Sequence, residues 1–196
     1  MHALYSIGYA TKPLEEFLRQ LQQHRIDAIA DVRSVPYSRA FHDYHREPLA
    51  KRLREAGIAY VYLGEELGPH SKDPAHYNEH GQVQFSRLQT AALFQPGIER
   101  VFNGLNKPMR IALMCAEKDP ASCHRSLLIG HHLLHQHTVD TLHIGHDGEL
   151  ESEDELENRL VELNGIQADM LTPACECRSL AWQAQCRRYA YIKPQN

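Results

Sequence analysis

No apolar run in the sequence approaches the roughly 20 residues that a membrane-crossing helix needs, so no membrane partner is expected. The opening Met1-His-Ala-Leu-Tyr-Ser-Ile-Gly8 lacks a basic stretch followed by a long apolar one, and reads as a first strand, not a signal peptide. Cysteine is sparse and odd in number: five, at 115, 123, 175, 177 and 186. A secreted disulfide scaffold would carry a denser, paired set, so a reducing, cytoplasmic setting is expected. Positive charge is not in excess either. The net charge is −4 with neutral histidine, a balance that disfavours constitutive nucleic-acid binding. The basic residues are uneven, though, with six Lys/Arg against two acids between Arg33 and Arg54. No internal repeat or low-complexity segment is present.

What remains is a rhythm of short apolar strands and amphipathic helices. Ala3 to Ile7 is the first strand, and Thr11 an N-cap for a helix reaching about His24, with Leu14, Phe17, Leu18 and Leu21 at helical spacing. Ala28 to Val32 follows as a second strand. A loop from Ser34 to His45 leads into a helix from about Glu47, closed by Gly57. Ile58 to Leu63 is the third strand, and the aperiodic stretch Gly64 to Gln84 is long enough to suggest a functional loop. Helices are expected over Phe85 to Phe94 and Gly97 to Leu105, then a strand over Met109 to Met114 and a helix from His124 to His135. A last strand spans Thr138 to Ile144, and Ser152 with Glu155 forms a capping-box signature. The chain divides into a single α/β domain, 1–168, and a Cys-containing extension, 169–196, with a helix over Leu180 to Tyr191.

Alternating β and α elements with strands too apolar to be half exposed predict three layers. The fold class is α/β: a mostly parallel sheet of about five strands with helices on both faces, Rossmann-like or flavodoxin-like. Such sheets bind ligands outside the carboxyl ends of their strands. Those ends offer Gly8 and Tyr9, Asp31 and Arg33, Gly64 to Glu66, Cys115 to Glu117, and His143.

The chemistry concentrates in Arg110-Ile-Ala-Leu-Met-Cys115-Ala-Glu117-Lys-Asp-Pro-Ala-Ser-Cys123-His124-Arg125-Ser126. An apolar strand stops at a thiol, turns through a polar loop, and enters a helix at a second thiol. A helix start favours anions, and Arg125 would add a forked donor for phosphate or carboxylate. Cys123, beside His124 and Arg125, stands where a thiol pKa falls. Arg33 ends its strand on the same edge and is a second anion ligand, or else pairs with Asp31 to tie its loop down. Ser38 and Arg39 are positioned to cover the site.

The stretch Cys115-Ala-Glu-x4-Cys123-His-Arg-Ser resembles the signature of the domain of unknown function family 488. So do Ser6-Ile-Gly-Tyr, Asp31-Val-Arg33-Ser-Val-Pro36-x-Ser38, and Tyr60-Val-Tyr-Leu63-Gly. The similarity spans roughly residues 3 to 165 and implies a bacterial or archaeal α/β protein of unassigned activity. The cysteines at 175, 177 and 186 stand outside the family pattern.

No zinc-enzyme motif such as His-Glu-x-x-His is present, and no metal ligand set is assigned. His131 and His135 are four apart on one helix, with no carboxylate nearby in sequence to complete a site. Cys175, Cys177 and Cys186 are one short of a four-thiolate centre. Phosphatase spacing fails as well, since Cys115 and Arg125 are ten apart and Cys123 and Arg125 two apart. Sulfur-transfer enzymes of the rhodanese type are the nearest analogy, at the level of fold alone. Three readings stay open, and no motif specifies a cofactor. One is an enzyme acting on a phosphate-bearing small molecule or a nucleic-acid component. In it Arg33 and Arg125 hold the anion, Glu117 is acid or base, Cys123 is nucleophile with His124 tuning it, and Cys115 supports. The second is thiol redox or sulfur transfer through Cys115 and Cys123. The third is a non-catalytic module for a nucleotide or nucleic acid.

Overall fold

The computed structural model describes residues 3–167 and 173–194. Six strands form one sheet: β1 (Leu4–Gly8), β2 (Ala28–Asp31), β3 (Ala59–Tyr62), β4 (Ile111–Cys115), β5 (Thr141–Ile144) and β6 (Leu150–Ser152). Their order is β3-β2-β4-β1-β5-β6, and every pairing is parallel except β5 with β6. The helices are α1 (Leu14–Gln23), α2 (Arg46–Glu55), α3 (Gly64–Leu67), α4 (Phe85–Leu88), α5 (Phe94–Leu105), α6 (His131–His137), α7 (Glu153–Leu163) and α8 (Ala174–Tyr189).

The three layers follow from side chains alternating across each strand. On one face Tyr5, Ile7, Ile29, Ala112 and Met114 pack against Phe17 and Leu21 of α1 and Leu49 and Leu53 of α2. On the other, Leu4, Ala28, Ala30, Ile111, Leu113 and Cys115 meet Ile98 of α5, Leu133 of α6, Leu156 of α7 and Ala181 of α8. Fully buried Ile or Leu side chains such as Ile7 and Leu113 each contribute about 1.5–3 kcal/mol of transfer free energy. Cys115 therefore faces the α5–α8 layer, two residues beyond Leu113.

Several elements differ from their expected form for identifiable reasons. Thr11 is not an N-cap: its φ of 61° places it in a left-handed turn, and α1 starts three residues later behind Pro13. β3 is an edge strand with Ala59 and Val61 exposed, so not every strand is covered on both faces. The stretch after Phe85 makes only one helical turn before α5 begins at Phe94. The helix expected from His124 opens instead as a π turn, Arg125–Gly130, and becomes α-helical at His131. α8 begins at Ala174, six residues before the expected start, with Pro173 at its N-cap. The boundary expected at 168–169 and the side chain of Cys175 lie outside the described residues.

Ser152 opens α7 with a complete capping box: its hydroxyl accepts from Glu155 N–H at 3.1 Å, and Glu155 accepts from Ser152 N–H at 2.8 Å. Replacing Ser152 by Ala is expected to cost about 1 kcal/mol, read as a lower urea midpoint at unchanged slope.

Candidate functional site

Register sets the site. Gly8 pairs with Cys115 across β1 and β4, and Asp31 pairs with Met114 across β2 and β4, so three strands end within one residue of the same level. Beyond β4 the chain curls back over β1, and Ala10 N–H reaches the Ala116 carbonyl at 2.8 Å. Gly8 is glycine because of this: a Cβ there would stand 1.9 Å from the Glu117 carbonyl oxygen.

Two thiols, an imidazole and a carboxylate converge in the space this loop encloses. Cys115 Sγ–H donates to Glu117 Oε2 at 2.8 Å, and Cys123 Sγ lies 3.0 Å from the same oxygen. His124 Nδ1 is 3.5 Å from Cys115 Sγ and 4.0 Å from Cys123 Sγ. On its far side His124 Nε2 bonds the Val32 carbonyl at 2.9 Å, which fixes the ring and turns Nδ1 inward. The four donor atoms all lie within 4.8 Å of one another. Both cysteines are sealed, at 3% and 1% exposure, whereas Glu117 is exposed at the mouth.

The electrostatics divide the two thiols. Burial pushes Cys115 up, and its hydrogen bond to Cys123 and the charges of Cys123 and Glu117 add to the rise. Burial opposes ionisation of Cys123 as well. There the hydrogen bond from Cys115, the Arg125 guanidinium and His124 outweigh it and hold the thiol well below its ordinary range. His124 is also buried, yet its hydrogen bond to Cys123 and the charges of Cys123 and Glu117 raise it above the usual histidine value. Burial, with the Cys123 charge, raises Glu117. The surroundings thus favour ionisation of Cys123 over Cys115, and protonation of His124.

Arg125 is 0% exposed and is held by the chain itself. Its Nη1 donates to the Glu117 carbonyl at 2.7 Å, Nη2 to the Lys118 carbonyl at 3.3 Å, and Nε to Ser6 Oγ at 3.2 Å. No carboxylate forms an ion pair with it among the described residues, so it acts on Cys123 as a buried positive field. Arg33 is committed too. It makes a forked pair with Asp31 at 2.9 and 2.6 Å and donates to the Tyr44 carbonyl at 2.9 Å, tying down the loop after β2. Tyr60 donates to Asp31 at 2.6 Å. Tyr9 is buried under Arg33, stacked on Tyr44 at 4.2 Å.

Ser38 and Arg39 stay apart from the cluster. Ser38 Oγ accepts from Ala40 and Phe41 N–H groups in its own loop, and Arg39 is exposed. Among the described residues no hydrogen bond joins either to the thiols. A cleft of about 610 Å³ opens farther along the same edge, lined by Ser34, Tyr62, Gly68, His70, His76 and Leu128. It draws on the long segment after β3, and the cysteines are not among its walls.

One network had no signal in the sequence beyond the position of His143. That residue lies within β5, wholly buried, with Nδ1 2.6 Å from Ser6 Oγ and Nε2 2.7 Å from Glu153 Oε2. Glu153 also accepts from Ser126 Oγ at 2.9 Å, so the chain Arg125–Ser6–His143–Glu153–Ser126 braces the turn carrying Arg125.

An open, mostly parallel sheet with helices on both faces places this chain among the three-layer α/β proteins. It belongs to the family described as "Domain of unknown function DUF488", whose model matches residues 13–131. That span holds the Asp31–Ser38, Tyr60–Gly64 and Cys115–Ser126 blocks; the Ser6–Tyr9 block lies before it. No curated protein and no solved structure matches the chain significantly. Among the described residues no helix is long and apolar enough to cross a membrane.

Proposed function

We propose that this protein is a two-thiol redox enzyme, with Cys123 as the attacking thiolate and Cys115 as the resolving thiol. The observation that carries the reading is the convergence of both sulfurs and His124 Nδ1 within 4.8 Å of one another, beside a buried guanidinium. With a hydroperoxide as oxidant, Cys123 S⁻ attacks the peroxide oxygen, the O–O bond breaks, and the alcohol leaves with the proton from His124. The Cys123 sulfenic acid then condenses with the Cys115 thiol, forming the S–S bond and releasing water. A dithiol reductant reverses the change. The reading suits a reducing compartment such as the cytoplasm.

Anion binding is less well supported. Arg33 and Arg125, its intended ligands, spend their N–H groups on Asp31, Tyr44, Ser6, Glu117 and Lys118. The basic stretch is partly neutralised as well, since Arg52 pairs with Glu15 and Glu55, and Lys51 with Glu55.

Site-resolved alkylation across pH tests the proposal. The Cys123 midpoint is expected well below the free-thiol value of about 8.5. A His124→Gln variant is expected to move it upward, because the imidazolium that favours the thiolate is gone. Hydroperoxide treatment is expected to remove two hydrogens from the peptides bearing Cys115 and Cys123, and dithiothreitol to restore them. Equal, ordinary midpoints for both cysteines and no disulfide would defeat the idea.

One observation favours a second reading. His124 donates Nε2–H to a carbonyl and turns Nδ1 toward two thiols and a carboxylate, and such a set of two sulfurs, one imidazole and one carboxylate suits tetrahedral zinc. Metal analysis of freshly purified protein separates the two. Stoichiometric zinc whose removal exposes both thiols to alkylation supports this second reading; metal-free protein that forms the disulfide supports the first.

A further inference from the structure

A second cluster sits at the other end of the helix that begins beside the thiols. α6 presents His131 and His135 one turn apart, and both rings aim at a single oxygen from α7. His131 Nδ1 and His135 Nε2 each lie 2.7 Å from Glu157 Oε1. The other carboxylate oxygen, Oε2, is buried and accepts no hydrogen bond among the described residues. Each carboxylate oxygen offers about two acceptor sites, so Oε1 can face both rings while the sites of Oε2 stay open to a cation. Arg178 stands 3.9 Å from Oε2, but its guanidinium is bound to Asp154 at 2.6 Å and Asn158 at 2.9 Å.

Glu157 is 2% exposed, so its charge is costly unless a cation compensates it. The three ligand atoms lie within 4.8 Å of one another. His131 is held in orientation by Trp182 of α8, stacked on it at 4.1 Å with planes 12° apart. Trp182 is anchored in turn by donating to the Leu127 carbonyl at 2.8 Å. His135 is nearly half exposed and leaves the cluster open to solvent on that side.

We propose that His131, His135 and Glu157 form a binding site for a borderline divalent cation such as Zn²⁺, with water completing its coordination. Imidazole nitrogens and a carboxylate are the donor types such ions take, at about 2.0–2.2 Å. Two histidines four apart on a helix share a face and chelate one ion. The bound ion would fasten α6 to α7 and, through the stacked His131 ring, to α8.

Trp182 is the chain's only tryptophan and lies against a proposed ligand, so it reports binding directly. The full chain is titrated with Ni²⁺ alone, following tryptophan fluorescence, both as wild type and as a Cys115→Ser/Cys123→Ser variant that removes the thiols. Saturable quenching by one equivalent is expected in both. His135→Ala, at a solvent-facing position, is expected to weaken it by on the order of tenfold or more. In the Cys115→Ser/Cys123→Ser background, Zn²⁺ is expected to raise the Tm with His135 present and not with His135→Ala added, since only a ligand bound to the native state stabilises it. As a check that needs no variant, Zn²⁺ is expected to protect His135 from diethylpyrocarbonate. Absence of saturable quenching, quenching unchanged in His135→Ala, or an unprotected His135 would each overturn the site.

Discussion

An Arg125→Met variant is expected to lose about 2–3 kcal/mol of folding stability, because three charge-assisted hydrogen bonds from a wholly buried guanidinium are lost at once. Methionine fills the volume but donates nothing to the Glu117 and Lys118 carbonyls or to Ser6, of which Ser6 is wholly buried. A loss of this size is a large part of the roughly 5–15 kcal/mol that holds a domain folded. Urea unfolding with an unchanged slope is the measurement. Arg125→Lys is expected to rescue little, since an ammonium is a point charge and cannot bridge three acceptors set around a planar fork. The Met substitution also removes the positive field that favours the Cys123 thiolate and the Lys substitution keeps it, so the alkylation midpoint is expected to rise in the Met variant and far less in the Lys variant. A stability loss with an unmoved Cys123 midpoint would mean that Arg125 is a brace and nothing more.

Gly8→Ala is expected to be as damaging, by about 3 kcal/mol, for a steric reason. The new methyl would meet the Glu117 carbonyl at 1.9 Å and the Arg125 guanidinium at 3.0 Å, and neither backbone nor braced side chain can yield without disturbing the other. Relief comes by lifting the Cys115–Cys123 loop, which takes the Glu117 carboxylate off both sulfurs. Unfolding measurements and cysteine alkylation should therefore change together, with both thiols more reactive and the difference between them reduced. Near wild-type stability, with Cys115 still protected, would refute the close approach.

The difference between these two residues and what their types suggested shows where a sequence stops being legible. The apolar runs ending at Gly8, Asp31 and Cys115 make β1, β2 and β4 readable, and the carboxyl-edge rule then gathers the residues at their ends onto one side of the sheet. That Arg125 would turn inward was not readable, because its acceptors are carbonyls, which every residue carries. Gly8 gave no hint either, since a glycine ending a strand says nothing about which loop passes over it. Glu157, which completes the histidine pair, lies 22 residues beyond His135, and only the packing of α6 on α7 makes them neighbours. β6 is three residues long within an acidic stretch, too short to show a period of two. Cys115 and Cys123 were visible together because strand, loop and helix are contiguous there.

The π turn between the two clusters has a consequence of its own. An α-helix advances about 100° per residue, so one residue gained or lost rotates everything downstream by that angle. Arg125–Gly130 carries wider loops of backbone than an α-helix would, and it joins a thiol site upstream to a histidine face downstream. It works as a phase adjuster, setting the azimuth of His131 and His135 against that of His124 and Arg125. Deleting a single residue from Leu127 to Ile129 would spare every side chain of both sites and still leave them pointing past their partners.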